Sequence, residues 1–546
     1  MNKKSTTLLA TGLFVILAII FYLNQETGER VMNQHSAQPS APQTASDSGE
    51  SFGISSSNEY ANQVGMDILE NGGNAVDAAV AVGFVLGVVE PYGSGLGGGG
   101  SMLILPPDAD EPVSYDYREV APQSEERQSI GVPGFVKGMD KVHADYGSIE
   151  MGQLLQPAID FAEEGFDVSA QLSSRIRSAQ ARINREVASH YYPDGAAIQP
   201  GEPLIQEELS TTLKTLQANG LNDFYDGDVA AKIGNDDQSA IEREDLEAYE
   251  VETKTPVQGQ FYDYDIYSAS PPLAGIPFIQ MLQMAESLHI EDYERGKADY
   301  IGLWSEISKV AYDDRLNTIS DPNFNDHDVD ELTSKAYSEA LAEDISISGS
   351  GLSLDFNDSE AERNDHSNTT HFVIIDQDGM IVSATNTLSN FFGSGSMTGG
   401  FFLNNQLKNF SQSSQSPNAY EPGKKPRSFI APTIMVNEET EEILGIGSPG
   451  GRRIPQILMQ VVANQVLYED DLQEAIDEPR FILEDNTVFL ENDIGEEEIP
   501  LLRKKGYKVQ LYEDDMFYGS VQSLAKKEQE IYGGSDPRRN GTWGSN

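Results

Sequence analysis

The sequence predicts a mixed α/β or α+β sandwich, and three observations carry that expectation. Stretches with helical periodicity alternate with short strand-like runs, the pattern of helix and sheet layers around a shared core. Residues 74–89 (NAVDAAVAVGFVLGVV) are apolar almost all round, as a helix buried on every side must be. Two apolar runs, 369–376 and 380–387, flank Asp378-Gly379, a strong hairpin signal.

Taken in order, the chain opens with Lys3 and Lys4 before a charge-free stretch, 5–25, whose dense apolar core runs from Leu8 to Leu23. That length can cross the hydrocarbon layer, and the lysines favour a cytoplasmic amino terminus. A cleaved signal peptide is the alternative. No small-x-small site follows Leu23 directly, and a lipobox is impossible without cysteine. Either way the remainder lies outside the cytoplasm. Residues 26–52, rich in Ser, Gln, Ala and Pro, read as a flexible tether. Ordered patterning begins at Gly53. The helix over 74–89 is followed by a glycine run, Gly93 to Gly100, and a strand at 102–105. Helices are expected over 151–164, 276–287 and 300–312, and a strand over 264–268. From 341 to 368 the chain turns polar and acidic, a second loose segment. A strand then starts abruptly at Thr369.

The chain has 546 residues, 38% apolar and 23% charged, enough to bury a large core. Its formal charge is −52. Such a polyanion repels phosphate backbones, so nucleic acid is excluded as a partner, and the acidic shell suits high salt. The absence of cysteine excludes disulfides, thiolate metal sites and a cysteine nucleophile. Several motifs fail on context. Asp321–Asp326 resembles a calcium loop, but Asp326 and Leu332 stand where an EF-hand needs Gly and Glu. Gly93-Ser-Gly95-Leu-Gly-Gly98 matches a dinucleotide fingerprint, yet a helix precedes it and a strand follows. The fingerprint requires the reverse, so tight turns with close backbone approach explain these glycines better. Gly49-Glu-Ser51-Phe-Gly53 matches a nucleophile elbow but sits in the tether. The seven histidines are scattered, without zinc-ligand spacing.

One constellation survives. A hydroxyl nucleophile needs a base, and an amino-terminal threonine carries its own in the α-amine. Thr369 becomes such a residue if the bond after Asn368 is cut. As composition alone, a threonine opening a strand is simply a good strand former.

Thr369-Thr-His371, the hairpin and Thr387-Leu388 together resemble the start of the small subunit of γ-glutamyltransferases, self-cleaving amino-terminal-nucleophile hydrolases. The segments 72–79 (GGNAVDAA), 97–100 (GGGG), 117–122 (YREVAP), 131–135 (GVPGF), 403–406 (LNNQ) and 447–451 (GSPGG) resemble family motifs in family order. The resemblance runs from Gly53 nearly to the end. It implies a four-layer αββα sandwich, a large segment 53–368 and a small segment 369–546 that stay associated after cleavage at Asn368–Thr369. It further implies that Thr369 attacks a γ-glutamyl carbonyl, with Thr387 bonded to it and the Gly450 and Gly451 amides holding the oxyanion. Arg118 would clamp the substrate α-carboxylate, with Gln406 and Ser428 in the same binding stretch. No metal or organic cofactor is implied.

Departures from the family pattern refine the substrate. Where glutathione-cleaving members carry an aspartate for the free α-ammonium, this chain has Asn409. An amide suits an acylated nitrogen better than a cation, as in poly-γ-glutamate, where interior α-nitrogens are acylated and α-carboxylates stay free. The family's paired serines become Ser428-Phe429, and the 411–427 stretch is short for a lid. Residues 369–433 hold four basic groups (Lys408, Lys424, Lys425, Arg427) against three acidic ones (Asp376, Asp378, Glu421), a basic island in an acidic chain. Arg452-Arg453 and Arg538-Arg539 add basic pairs, with Arg453 and Arg539 as candidate substrate contacts. Residues 386–393 and 538–543 resemble the capsule-depolymerase branch. The expectation is a membrane-tethered acyltransferase/hydrolase cutting poly-γ-glutamate, with water or a cell-wall amine as acceptor. A glutathione-type enzyme and a non-catalytic surface scaffold of the same fold are the alternatives.

Overall fold

The computed structural model describes residues 51–184, 187–236, 239–343, 345, 369–492 and 494–546. The expected anchor and nearly all of the tether lie outside these residues, as do Asn368 and most of the polar segment before it. Among the described residues, no helix is long and apolar enough to cross a membrane.

Two large sheets organise the molecule. Their strands, in chain order, are β1 (Gly53–Ser56), β2 (Gly99–Leu105), β3 (Val113–Asp116), β4 (Glu252–Lys254), β5 (Val257–Phe261), β6 (Tyr264–Ser268), β7 (Thr369–Ile375), β8 (Ile381–Thr387), β9 (Thr433–Asn437), β10 (Glu442–Gly447), β11 (Gln522–Lys527), β12 (Glu530–Ser535) and β13 (Thr542–Ser545). The seven-stranded sheet runs β13-β1-β7-β8-β2-β3-β4, and the six-stranded one β12-β11-β10-β9-β6-β5. Every neighbouring pair is antiparallel.

Strand β7 shows why the sheets stack. All its residues are buried, and successive side chains leave opposite faces. Phe372 and Ile374 join a core with helices α1 (Glu59–Glu70), α2 (Ala75–Val89), α3 (Phe135–Tyr146), α4 (Met151–Glu164) and α5 (Ala170–Ala179). Val373 and Ile375 join a second core with Leu444, Ile446 and Leu524 and with helices α6 (Gly275–Ser287), α7 (Ala298–Thr318) and α8 (Ile454–Tyr468). The order is therefore helix, sheet, sheet, helix. The sheets approach closely because β10 turns glycines toward β7: a Cβ on Gly445 would lie 2.6 Å from Val373 Cγ1.

The expected helices and hairpin form where the patterning placed them. Helix α2 is buried at every position and starts at a capping box, in which Asp77 N–H donates to Asn74 Oδ1 (2.9 Å) and Asn74 N–H to Asp77 Oδ2 (3.1 Å). Its first amide, Ala75 N–H, donates to Asp376 Oδ2 (2.9 Å), beyond the end of β7. The other Asp376 oxygen accepts from Asp378 N–H (3.1 Å) and Met380 N–H (2.9 Å), closing the hairpin turn. Gly379 takes φ +91°, which glycine adopts without cost. One carboxylate thus ties turn, strand and buried helix together.

Strands from before and after residue 369 interleave in both sheets. β1 lies between β7 and β13, β2 pairs with β8, and β6 pairs with β9.

Replacing Asp376 by alanine strands three amides, two of them at the turn. Thermal or urea unfolding should show a loss of about 2 kcal/mol, the scale for hydrogen bonds to a charged group.

Candidate active site

The hairpin register sets the first distance. Thr387 is the β8 partner of Thr369 in β7, and Thr369 Oγ1 lies 3.2 Å from Thr387 Oγ1 as its hydrogen-bond donor. Thr387 Oγ1 also accepts from Ser389 N–H at 2.9 Å, which fixes its rotamer. Both threonines are buried. On its other side Thr387 pairs with Gly99 of β2. A Cβ there would lie 2.6 Å from Tyr117 O and 3.1 Å from Arg118 Cα, so the glycine lets the Arg118 segment reach the threonine pair. Close approach, rather than phosphate binding, accounts for the glycine run.

The 447–451 segment leads from the end of β10 into α8. Gly447 packs on the His371 ring, since a Cβ would stand 2.3 Å from its Cε1. His371 sits two residues from Thr369, so this contact brings the loop to the threonine end of β7. Burial pulls the His371 pKa down to about 3, so the ring is neutral, with Nδ1 bonded to Thr385 Oγ1 at 2.8 Å. Gly450 (φ +153°) and Gly451 (φ +57°) then turn the chain through conformations that side chains disfavour. A glycine pair of this kind can aim consecutive amides at one point.

Arg118 is fully buried, which rules out the surface ion pair otherwise expected of an arginine in an acidic chain. Nε faces Glu119 Oε2 at 3.4 Å, and Nη2 reaches Pro426 O at 3.4 Å. Nη1 has no hydrogen-bond partner among the described residues, and neither has Gln406 Nε2. Both segments meet at Gly131, where a Cβ would touch Glu119 Cβ (2.9 Å) and Leu407 Cδ2 (3.1 Å). Asn404 stitches them together, with Nδ2 on Gly97 O and Gly131 O and Oδ1 accepting from Gly131 N–H. Buried donors without acceptors are costly unless a ligand satisfies them. Asn409 is buried and gives Nδ2 to Arg427 O at 3.4 Å. Ser428 N–H donates to Pro272 O (3.1 Å), and Arg315 lies 3.8 Å from the Phe429 ring centroid.

The basic island needs correction. Three of its four cations are buried in internal contacts. Lys424 pairs with Glu421 (2.8 Å), Lys425 with Asp116 and Glu252 (3.3 Å each), and Arg427 donates to the carbonyls of Arg315 and Leu316. Burial alone would raise the Asp116 pKa, but Lys254, Lys425 and Arg118 outweigh it and hold the group below the ordinary carboxylate range. Of the four, Lys408 alone is exposed. Arg452 is likewise taken by Glu484 (2.9 Å), and Arg538 by Glu491 (2.5 Å). Sequence position could not distinguish a cation that faces a groove from one that pins a loop.

Arg453 shares the Glu484 carboxylate, and Arg539 meets a carbonyl. Arg453 holds Glu484 through Nη1 (3.1 Å) and lies over the Phe517 ring at 4.3 Å. Arg539 Nη2 donates to Met516 O at 2.7 Å. Arg175 of α5 belongs beside them, with Nη2 3.3 Å from Met516 Sδ. Arg175 escaped the sequence reading because it lies on a helix carrying none of the motifs.

A helix–sheet–sheet–helix sandwich whose central strand opens on a hydroxyl residue defines the class of amino-terminal-nucleophile hydrolases. The chain belongs to the gamma-glutamyltranspeptidase family, whose model matches residues 61–545, and it is an enzyme of that type. It is 45% identical over 499 residues to the capsule biosynthesis protein CapD proenzyme of Bacillus anthracis, covering 91% of each chain. It is 34% identical to the glutathione hydrolase proenzyme of Escherichia coli K12, covering 89% of this chain and 90% of the relative. In fold it is similar to the crystal structure of cephalosporin acylase from Bacillus halodurans, with a TM-score of 0.80, 24% identity, and coverage of 93% and 98%.

Thr387→Val keeps the shape and removes the hydroxyl that meets Thr369. Turnover of a γ-glutamyl anilide should fall about 100-fold, the scale of a lost proton-positioning group, with the fold kept and the unfolding temperature lowered slightly by the lost bond from Ser389 N–H.

Proposed function

We propose that the enzyme cleaves itself before Thr369 and then cuts poly-γ-glutamate at internal γ-linkages, passing the acyl group to water or a cell-wall amine. The observation that carries the substrate is Asn409: its neutral amide, tied to Arg427 O, occupies the sequence position at which the family resemblance expects a carboxylate for a free α-ammonium. The similarity to the capsule biosynthesis proenzyme supports the same reading. The glutathione-type alternative draws on the Escherichia coli relative; Asn409 weighs against it.

In the proposed cycle Thr369 Oγ1 attacks the γ-carbonyl carbon, and its proton passes to the free α-amine of the same residue. The tetrahedral oxyanion sits on the Gly450 and Gly451 amides. Preorganised donors of this kind contribute most in acyl transfer because they need no reorganisation. Collapse breaks the C–N bond, and the leaving nitrogen takes the proton back from the ammonium. The threonyl ester left behind is then attacked by water or an amine, again with the α-amine as base. Thr387 holds the attacking oxygen, while Arg118, through the N–H donors at Nη1 that no described residue accepts, takes the substrate α-carboxylate alongside Gln406. Processing uses the same hydroxyl on the Asn368 carbonyl: an N-to-O acyl shift gives an ester that water opens.

The segments 53–368 and 369–546 remain together in this scheme, and the interleaved strands of both sheets support that. The charge-free stretch at 5–25 supports placement at the outer face of the membrane, or secretion if it is removed.

Amino-terminal sequencing of the smaller piece of active enzyme should begin at Thr369. Thr369→Ala should stay a single band on a denaturing gel and release nothing from poly-γ-glutamate. An intact 368–369 bond in functional enzyme would refute the mechanism. Because the base must be unprotonated, kcat/KM should fall tenfold per pH unit below the amine pKa, about 7.7 for an α-amine.

A further inference from the structure

Three arginines from separate parts of the chain converge on one short turn, Asp515–Tyr518. Arg175 comes from α5, Arg453 from the turn that follows Gly450, and Arg539 from the Pro537–Arg539 turn. Arg175 and Arg539 both reach Met516, and Arg453 covers Phe517. Arg175 also lies over the Phe391 ring at 4.0 Å, on the loop that leaves Thr387. The cluster is therefore tied both to the loop that leaves Thr387 and to the turn that follows Gly450.

Arg175 is the poorly matched member. Arg175 is 8% exposed, forms no ion pair among the described residues, and its Nε has no partner there. A thioether is a weak acceptor for its Nη2. Of the nearby acids, Asp514 favours the Arg175 charge but is exposed and caps Met516 N–H (3.2 Å), Glu484 is shared between Arg452 and Arg453, and Asp536 is held by Arg480 (2.6 Å) and Arg538 (3.3 Å). Burial pushes the Glu90 carboxyl up to about 7, against the bonds from Asn58 and Ser57 and the charge of Arg539, so it is only partly charged at neutral pH. Burial, then the charges of Arg175 and Arg453, pull Arg539 down to about 9. An arginine keeps its proton at working pH, so that pull reflects three cations crowded together in a buried place.

We infer that Arg175 completes, with Arg453 and Arg539, a three-guanidinium subsite for a free α-carboxylate on a glutamyl unit neighbouring the scissile linkage. The inference rests on the γ-glutamyl chain reading above and adds a residue that makes the enzyme select a chain over a single γ-glutamyl unit. Planar guanidinium forks match carboxylates two bonds at a time, and burial strengthens the match. A substrate with one γ-glutamyl group places no carboxylate there.

The test compares the processed wild type, Arg175→Gln and Arg175→Lys on a γ-glutamyl anilide and on poly-γ-glutamate, and measures inhibition of anilide turnover by a γ-glutamyl trimer. Arg175→Gln should leave anilide kcat and KM within about twofold, raise KM for the polymer about tenfold, and weaken trimer inhibition equally. Arg175→Lys should recover part of both losses. The unfolding temperature of unliganded Arg175→Gln should not fall, because an unpaired buried charge has been removed. Equal losses on both substrates would reduce Arg175 to scaffolding and overturn the subsite. So would a trimer that inhibits wild type and Arg175→Gln alike, or neither. If the wild type cuts no polymer while the trimer still inhibits through Arg175, the substrate reading fails and the carboxylate site stands.

Discussion

The molecule depends on the antiparallel register between β7 and β8. A one-residue slip would turn Thr387 to the opposite face of the sheet, and with it would go the contact at Thr369 and the pairing to Gly99 that brings up Arg118. That register is held from the far end, where Asp376 closes the turn and caps α2. A buried helix, a five-residue turn and a pair of hydroxyls therefore form one mechanical unit. Stability and chemistry draw on the same hydrogen bonds.

The second constraint is the thinness of the space between the sheets. Glycines on β10 let the 447–451 loop descend onto His371, and a neutral imidazole is what that dry contact requires. A charged ring at this position would carry an unpaired buried charge against the loop. The acidic exterior hardly enters this region; the cations near it are mostly committed to carboxylates or carbonyls within the fold.

Periodicity and turn chemistry made much of the architecture legible. The α2 helix, the helix at 151–164, the strand at 264–268 and the hairpin are set by local preferences that tertiary contacts then agree with. The glycine run was legible as close approach, although its partners, Thr387 and the Arg118 segment, were not. Side-chain direction was the part that remained hidden. Lys424, Lys425 and Arg427 looked like a surface for a polyanion, yet they anchor the 411–427 stretch, because charge along a sequence does not record which way a side chain points. Arg175 shows the converse: nothing adjacent in the chain distinguishes it, and only the turn at Met516 reveals its company.

The braiding of early and late strands has a consequence for maturation. A polypeptide cut before assembly would present two incomplete sheets with exposed edges, each prone to aberrant pairing. A single-chain precursor avoids that hazard, because both parts are threaded into the sandwich while still covalently joined. The threonine pair itself exists only once β7 has zipped to β8. In the proposed scheme, scission would act as a timer that starts at the completion of folding, so chains that fail to fold would never be armed.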